Sequence, residues 1–450
     1  MVQIKPLLLS LTLAQVASFV SAAASTTNGQ DYWQSFKSNI NPLNVTLPKI
    51  TQTVSINPTQ ECTYYDPDTA LFNIDPTEWP SIWEVATTNG MNTSAEFTAL
   101  YNSIDWTKAP NIPVRTLTSS GSLDFTGYDA NTDPDCWWSS SVCTVPKIAD
   151  VNPDIYYCPE PETWGLTYDD GPNCSHNAFY DYLEEQKLTA SMFYIGSNVV
   201  DWPYGAMRGV KDGHHIASHT WSHPMVTTLT NQEVLAEFYY TQKAIKLITG
   251  LTPRYWRPPY GDVDDRVRWI ASQLGLTAII WNLDTDDWAA GVTTTVAAVE
   301  KSYTDFITMG KNGTFANSGN IVLTHEINNE TMSLALQNLP AIRQNYQHVI
   351  NVATCQNITY PYFENTVSFQ SFSEYLGLNT TSSASSSASS SASSVASSIP
   401  ISAASGSSPS SGVASKVSSL SSTSSSTSGA VKLSPAYIGL ALVAVAGLLI

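Results

Sequence analysis

The stretch Trp164-Gly165-Leu166-Thr167-Tyr168-Asp169-Asp170-Gly171-Pro172 starts as a short apolar strand and breaks off on two carboxylates and a Gly-Pro turn. The same alternation repeats downstream. Short apolar runs predict further strands at Ala190–Ile195, His215–His219, Tyr255–Arg257, Thr277–Leu283, Ile321–Thr324 and Val349–Ala353. Between them the periodicity predicts helices over Asn177–Gln186, Asn231–Thr249, Asp264–Gln273, Thr294–Met309 and Thr331–Gln344. The clearest is Asn231–Thr249, where Thr230 and Glu233 have capping-box spacing and Gly250 supplies the stop. Seven strand-helix units in series predict an α/β fold with a parallel sheet, closed or nearly closed into a distorted (β/α) barrel. An open doubly wound sheet is the competitor, but no Gly-rich phosphate loop follows the first strand. In a barrel the chemistry gathers where strands end.

Polar clusters fall at those ends. Asp169 and Asp170 are adjacent, so their side chains leave the strand in different directions; one can bind a metal while the other stays free as a base. In isolation Asp-Asp-Gly-Pro is also ordinary turn chemistry. Four of the seven histidines lie between His214 and His223. His219 and His223 are four apart, which a helical turn or tight loop can aim at one ion, and Asp170 supplies a third ligand. Two imidazoles and a carboxylate with an open position suit Zn²⁺ or a related divalent cation, Co²⁺ among them. Arg257-Pro258-Pro259-Tyr260 sets a guanidinium on a stiff turn, able to hold a carboxylate. Asp284-Thr285-Asp286-Asp287-Trp288 packs three carboxylates beside an indole. Leu323-Thr324-His325-Glu326 ends an apolar strand on a single histidine.

Outside this region the chain changes character. Lys5, an apolar run from Leu7 to Val20 and the small residues Ser21 to Ala24 read as a secretory signal peptide over 1–24. Residues 376–429 are mostly Ser with Ala, Thr and Val and carry no carboxylate, which predicts an unstructured, O-glycosylated stalk. Small residues at Ser425–Gly429, a short spacer and an apolar terminus read as a GPI signal, with Ser428 as the attachment point and 430–450 removed. Sequons at Asn44, Asn92, Asn173, Asn312, Asn329, Asn357 and Asn379 suit an exported chain. Six cysteines allow fifteen disulfide connectivities. Cys136 and Cys143 are close enough to close a small loop, and Cys158 and Cys355 bracket the barrel. Residues 25–155 give no fold by pattern; their aromatics Trp33, Trp79, Trp83, Trp106, Trp137 and Trp138 read either as core or as sugar-stacking surfaces.

The chain of 450 residues has 20 basic against 38 acidic residues, a net charge of −18. Only 13% of residues are charged, in part because the two ends carry only three lysines and no carboxylate. Removing Lys5, Lys416 and Lys432 with those ends leaves 17 basic against 38 acidic residues, a net charge of −21. Such a surface disfavours nucleic acid and anionic lipid as partners. It tolerates a neutral or partly cationic glycan.

The ordered set TYDDGP, HTWSH, RPPY, DTDDW and LTH resembles the five motifs of the NodB-type polysaccharide deacetylases, carbohydrate esterase family four. With the exported, stalked layout, the chain is most similar to fungal cell-wall chitin deacetylases. The resemblance spans about Tyr156 to Cys355 and implies a deacetylase domain over 156–375. It implies Asp169 as general base, His325 as general acid, and Asp170, His219 and His223 as metal ligands. It further implies that Arg257 orients the base, the Tyr260 backbone N–H donates to the oxyanion, and Asp284 tunes the acid, with the part of Asp287 left open. Trp288 and Leu323 are similar to the walls of the acetyl pocket. The reaction implied is removal of acetyl groups from chitin by a monomer tethered to membrane or wall glucan. Deacetylation of acetylxylan or peptidoglycan, and a non-catalytic glycan-binding mannoprotein, are the other readings.

Overall fold

The computed structural model describes residues 74–378. The expected signal peptide, stalk and GPI signal, together with Trp33, Asn44, Cys62 and Asn379, lie outside them.

Eight strands form the barrel: β1 Thr163–Gly171, β2 Ser191–Tyr194, β3 His215–Ser218, β4 Tyr255–Trp256, β5 Thr277–Ala278, β6 Leu283–Asp284, β7 Asn320–Leu323 and β8 His348–Ile350. All their pairings are parallel, in the order β5-β4-β3-β2-β1-β7-β6, with β8 also against β1. β1 is central and buried over almost its whole length, as a parallel strand covered on both faces must be. The expected strand Thr277–Leu283 is instead two short ones. Its start pairs with β4 and its end with β7, so one bent run links the two edges of a curled sheet, and no ladder among the described residues joins β5 to β6. The expected strand Val349–Ala353 also stops early, because Asn351 caps a short helix by accepting from the Thr354 N–H.

The connecting helices include α1 Ala95–Ser103, α2 Asn177–Glu185, α3 Pro203–Lys211, α4 Asn231–Thr249, α5 Asp265–Gln273, α6 Val296–Lys311 and α7 Asn329–Asn345. α4 has the expected capping box, and Gly250 ends it at φ 76°. α3 escaped the pattern reading, although Pro203 at its first turn is a start signal.

Residues 74–155 do not stand apart from the barrel; their apolar side chains join the barrel's own core. Phe97 of α1 packs 6.0 Å from the rings of Tyr239 and Tyr240 on α4. Trp79 stacks on Trp221 at 5.9 Å, and Trp137 Nε1 donates to Asp262. The buried Arg268 of α5 pairs with Asp154 at 2.7 Å. Trp79, Trp137 and Trp138 are therefore core and Trp106 is half-buried, whereas Trp83 is exposed. Disulfides Cys136–Cys143 and Cys158–Cys355 form as expected, and Cys174 is disulfide-bonded as well.

Candidate active site

Asp169 and Asp170 are carried by the last turn of β1, His219 and Arg257 lie one residue beyond β3 and β4, and His325 two beyond β7. The strand ends thus gather all of them on one face. The backbone there is not relaxed: Asp170 (φ 75°), Thr220 (65°), His223 (57°), Tyr260 (58°) and Asp286 (56°) all occupy the left-handed region. Each such residue costs on the order of 1–3 kcal/mol and persists only where its surroundings fix it.

Asp170 Oδ1 lies 3.4 Å from His219 Nε2 and 3.3 Å from His223 Nε2. It is buried and makes no hydrogen bond. His219 Nδ1 is 2.8 Å from the Arg257 carbonyl, which can only accept, so the proton sits on Nδ1 and Nε2 presents its lone pair. Burial pushes the His223 imidazole down to about 4, against the pull of Asp170, so it is neutral near pH 7. Burial would raise the Asp170 carboxyl, but the imidazoles of His223, His219 and His325 hold it well below the usual range. An orphaned carboxylate oxygen facing two imidazole nitrogens, all within 4.8 Å, fits a divalent cation. Asp133 also clusters with Cys136 and Cys143, but those sulfurs form a disulfide.

Beside this triad, Arg257 is fully buried and its NH1 donates to Asp169 Oδ1 at 2.7 Å and to Thr167 Oγ1 at 2.9 Å. That bond fixes one oxygen of Asp169. The other, Oδ2, lies 3.7 Å from His219 Nε2 and stays free for a proton. His325 is the parallel neighbour of Asp169: the Asp169 N–H donates to the Thr324 carbonyl and the Glu326 N–H to the Asp169 carbonyl. The two side chains meant for base and acid therefore stand one strand spacing apart.

His325 Nδ1 donates to Asp287 Oδ1 at 2.6 Å, and its backbone N–H donates to Asp287 Oδ2 at 2.9 Å. Burial works against a charge on the ring, but the Asp287 carboxylate outweighs it and lifts the imidazole to about 10. The resemblance gives the tuning task to Asp284 and leaves the part of Asp287 open; the hydrogen bonds from His325 go to Asp287. Asp284 Oδ1 is engaged by the Asp286 N–H, and the left-handed turn at Asp286 swings the next residue, Asp287, toward His325. Burial and the neighbouring Asp286 push the Asp284 carboxyl up to about 7.

Tyr260 occupies a tight turn after Arg257 with its ring 4.7 Å from His223, and among the described residues its N–H has no acceptor. Leu323 is buried at the end of β7, paired with Asp284, while the Trp288 ring is 40% exposed.

Three buried carboxylates behind the site were not singled out by sequence. Glu237 of α4 accepts from the N–H groups of Ala86, Trp221 and Ser222, bracing the loop between the two ligand histidines. Asp262 ties Trp137 and Ser139 to Thr227. Glu326 pairs with His176 at 2.7 Å. Glu326 is also why residue 171 is glycine: a Cβ there would lie 2.0 Å from its Oε1. An acidic residue inside a polar helix turn or next to a candidate histidine carries no sequence signal that distinguishes bracing from exposure.

Asn312, Asn329 and Asn357 are exposed, while Asn92 and Asn173 are half-buried.

With this geometry in place, comparison with known proteins is specific. The polysaccharide deacetylase family model matches residues 156–279. A chitin deacetylase of Amylomyces rouxii is 75% identical over 362 residues, spanning 80% of this chain and 85% of that protein. Chitin deacetylase 2 of Cryptococcus neoformans var. grubii is 45% identical over 337 residues, spanning 74% of this chain and 73% of that protein. Among solved structures, the chitin deacetylase of the fungal pathogen Colletotrichum lindemuthianum is 27% identical, with a TM-score of 0.42 over 46% of this chain and 92% of that one. The chain belongs to the polysaccharide deacetylase family.

Proposed function

We propose that this protein hydrolyses the N-acetyl groups of chitin, giving chitosan and acetate, with Asp169 as base and His325 as acid. The observation that carries the reading is their pairing across β1 and the end of β7, directly beside the Asp170–His219–His223 triad. A divalent cation held by those three side chains, Zn²⁺ or Co²⁺, would act as a Lewis acid toward the acetyl carbonyl and favour ionisation of a nearby water.

The chain's own groups supply the rest. Arg257 holds Asp169 Oδ1 and leaves Oδ2 free, so that Asp169 takes the proton of the attacking water. The unoccupied Tyr260 N–H donates to the oxyanion as the carbonyl carbon becomes tetrahedral. Asp287 holds the proton of His325 on Nδ1 and keeps the ring cationic, so that Nε2–H faces the leaving group. That proton passes to the sugar nitrogen as the C–N bond breaks, and acetate and a free amine leave. Leu323 and Trp288 bound the space for the acetyl methyl.

We also read the chain as exported, N-glycosylated at its exposed sequons and tethered through a GPI anchor near Ser428. Among the described residues no helix is long and apolar enough to cross a membrane. The test is acetate release from chitin oligomers, acetylxylan and peptidoglycan, each with and without a chelator. The reading expects chelator-sensitive release from chitin oligomers. Release only from another glycan would replace the substrate, and none from any would sink the enzyme.

A further inference from the structure

We propose that Trp83, from the segment preceding the barrel, is a stacking platform for a sugar unit neighbouring the one being deacetylated. This rests on the chitin reading above and assigns that reading a substrate subsite outside the barrel.

The turn holding Trp83 is fastened to the loop that carries the ligand histidines. The Trp83 N–H donates to Ser197 Oγ at 3.0 Å, and that hydroxyl donates to the Trp221 carbonyl at 2.7 Å. Trp221 lies between His219 and His223, and its Nε1 donates back to the Ser81 carbonyl at 3.1 Å. Glu237 accepts from the N–H groups of both Ala86 and Trp221, closing the other side of the turn. Along this path Trp83 lies within roughly 13 Å of His223, allowing about 3.5 Å per residue. That is within reach of the units flanking the reacting one on a chain.

Two observations say that the exposed ring is there for a ligand. Trp79, four residues earlier, is spent on the core by stacking against Trp221; Trp83 is 47% exposed and stacks on no ring among the described residues. Its backbone is also costly. At φ 63° it sits where glycine or asparagine would be relaxed and a bulky residue is an outlier. A strained backbone that delivers a large aromatic to solvent gives the fold nothing that a smaller residue would not.

The chemistry suits the occupant. A neutral polymer of N-acetylated pyranose rings offers no charge to recognise, but each ring has a face of C–H groups that packs on an aromatic plane. Tyr260, 47% exposed beside His223, and Trp288, 40% exposed beside Asp287, present rings elsewhere on the same face. Trp83 extends that set on the side of the His219–His223 loop.

The test uses the full chain loaded with Zn²⁺, as wild type, Trp83→Ala and Trp83→Phe. Acetate release is measured on the chitin dimer and hexamer, together with bound metal and Tm. For Trp83→Ala the ratio of kcat/KM on hexamer to that on dimer should fall roughly fivefold to tenfold through KM, with metal content as in wild type. Trp83→Phe should recover most of the ratio. An unchanged ratio would overturn the proposal. So would equal loss on both substrates or loss of metal, either of which would make Trp83 a prop for the histidine loop. Wild type inactive on both oligomers would instead refute the chitin reading, and the subsite would fall with it.

Discussion

Replacing Asp287 by Asn removes one negative charge beside His325 while keeping an oxygen able to accept from Nδ1–H. Two unit charges about 4 Å apart at an effective dielectric near 20 attract by about 4 kcal/mol, worth about 3 pKa units. Burial opposes the lift from 6.5 to about 10; the Asp287 charge supplies the largest part of it, and the Asp287 hydrogen bond with the carboxylates of Asp170 and Asp169 supplies the rest. Because the folded pKa is raised, the pair stabilises the fold fully below pH 6.5 and loses that contribution as pH rises toward 10. In Asp287→Asn the burial remains and the main counterweight is gone, so the ring should titrate near or below 6.5. At pH 8 its cationic fraction then falls to roughly one in thirty. Acetate release from chitin oligomers should drop by about that factor at pH 8 and recover to within a few-fold of wild type near pH 6. A bound divalent cation lowers the imidazole in both proteins, so the difference between their kcat/KM profiles carries the result. An unmoved basic limb, or a uniform loss at every pH, would refute the assignment of His325 as an acid held cationic by Asp287.

Three further outcomes follow from the same structure. Dialysis against a chelator should abolish acetate release, and His219→Ala should not regain it at metal concentrations that restore wild type; full recovery by the variant would remove His219 from the ligand set. Glu237→Ala strands two buried N–H groups and a third that is partly buried, each buried one costing about 1–3 kcal/mol, so chemical denaturation should show a loss of about 2 kcal/mol or more. A loss below 1 kcal/mol would mean the loop needs no brace. Cys158→Ser with Cys355→Ser opens a loop spanning 197 residues, expected to cost about 5 kcal/mol in the chain-entropy model. An unchanged denaturation midpoint would show that the bridge stabilises little.

The barrel was legible because its strands are buried on both faces and so appear as short apolar runs, each ending on polar residues. Boundaries failed where pairing rather than hydrophobicity decides them. Thr277–Leu283 is one apolar run, but it changes partners midway and the ladder lapses between. The triad was legible because histidine is scarce and four are crowded into ten positions. The choice between Asp284 and Asp287 was not, since three carboxylates within four residues differ only in where a left-handed turn at Asp286 points them. The segment before the barrel was opaque for a related reason. Beyond a few ring pairs of its own, such as Tyr101–Trp106 and Phe125–Trp137, its apolar side chains join the barrel's core against α4 and α5, and its short elements show no regular periodicity.

The central claim is that Asp169 and His325 move the protons while Asp170, His219 and His223 hold the metal. Its most direct test measures bound metal and turnover on chitin hexamer side by side in wild type, Asp169→Asn and His325→Ala. The account predicts turnover reduced by about 10² or more in each variant, with wild-type metal content. Near wild-type turnover in either, or metal lost along with activity, would contradict it.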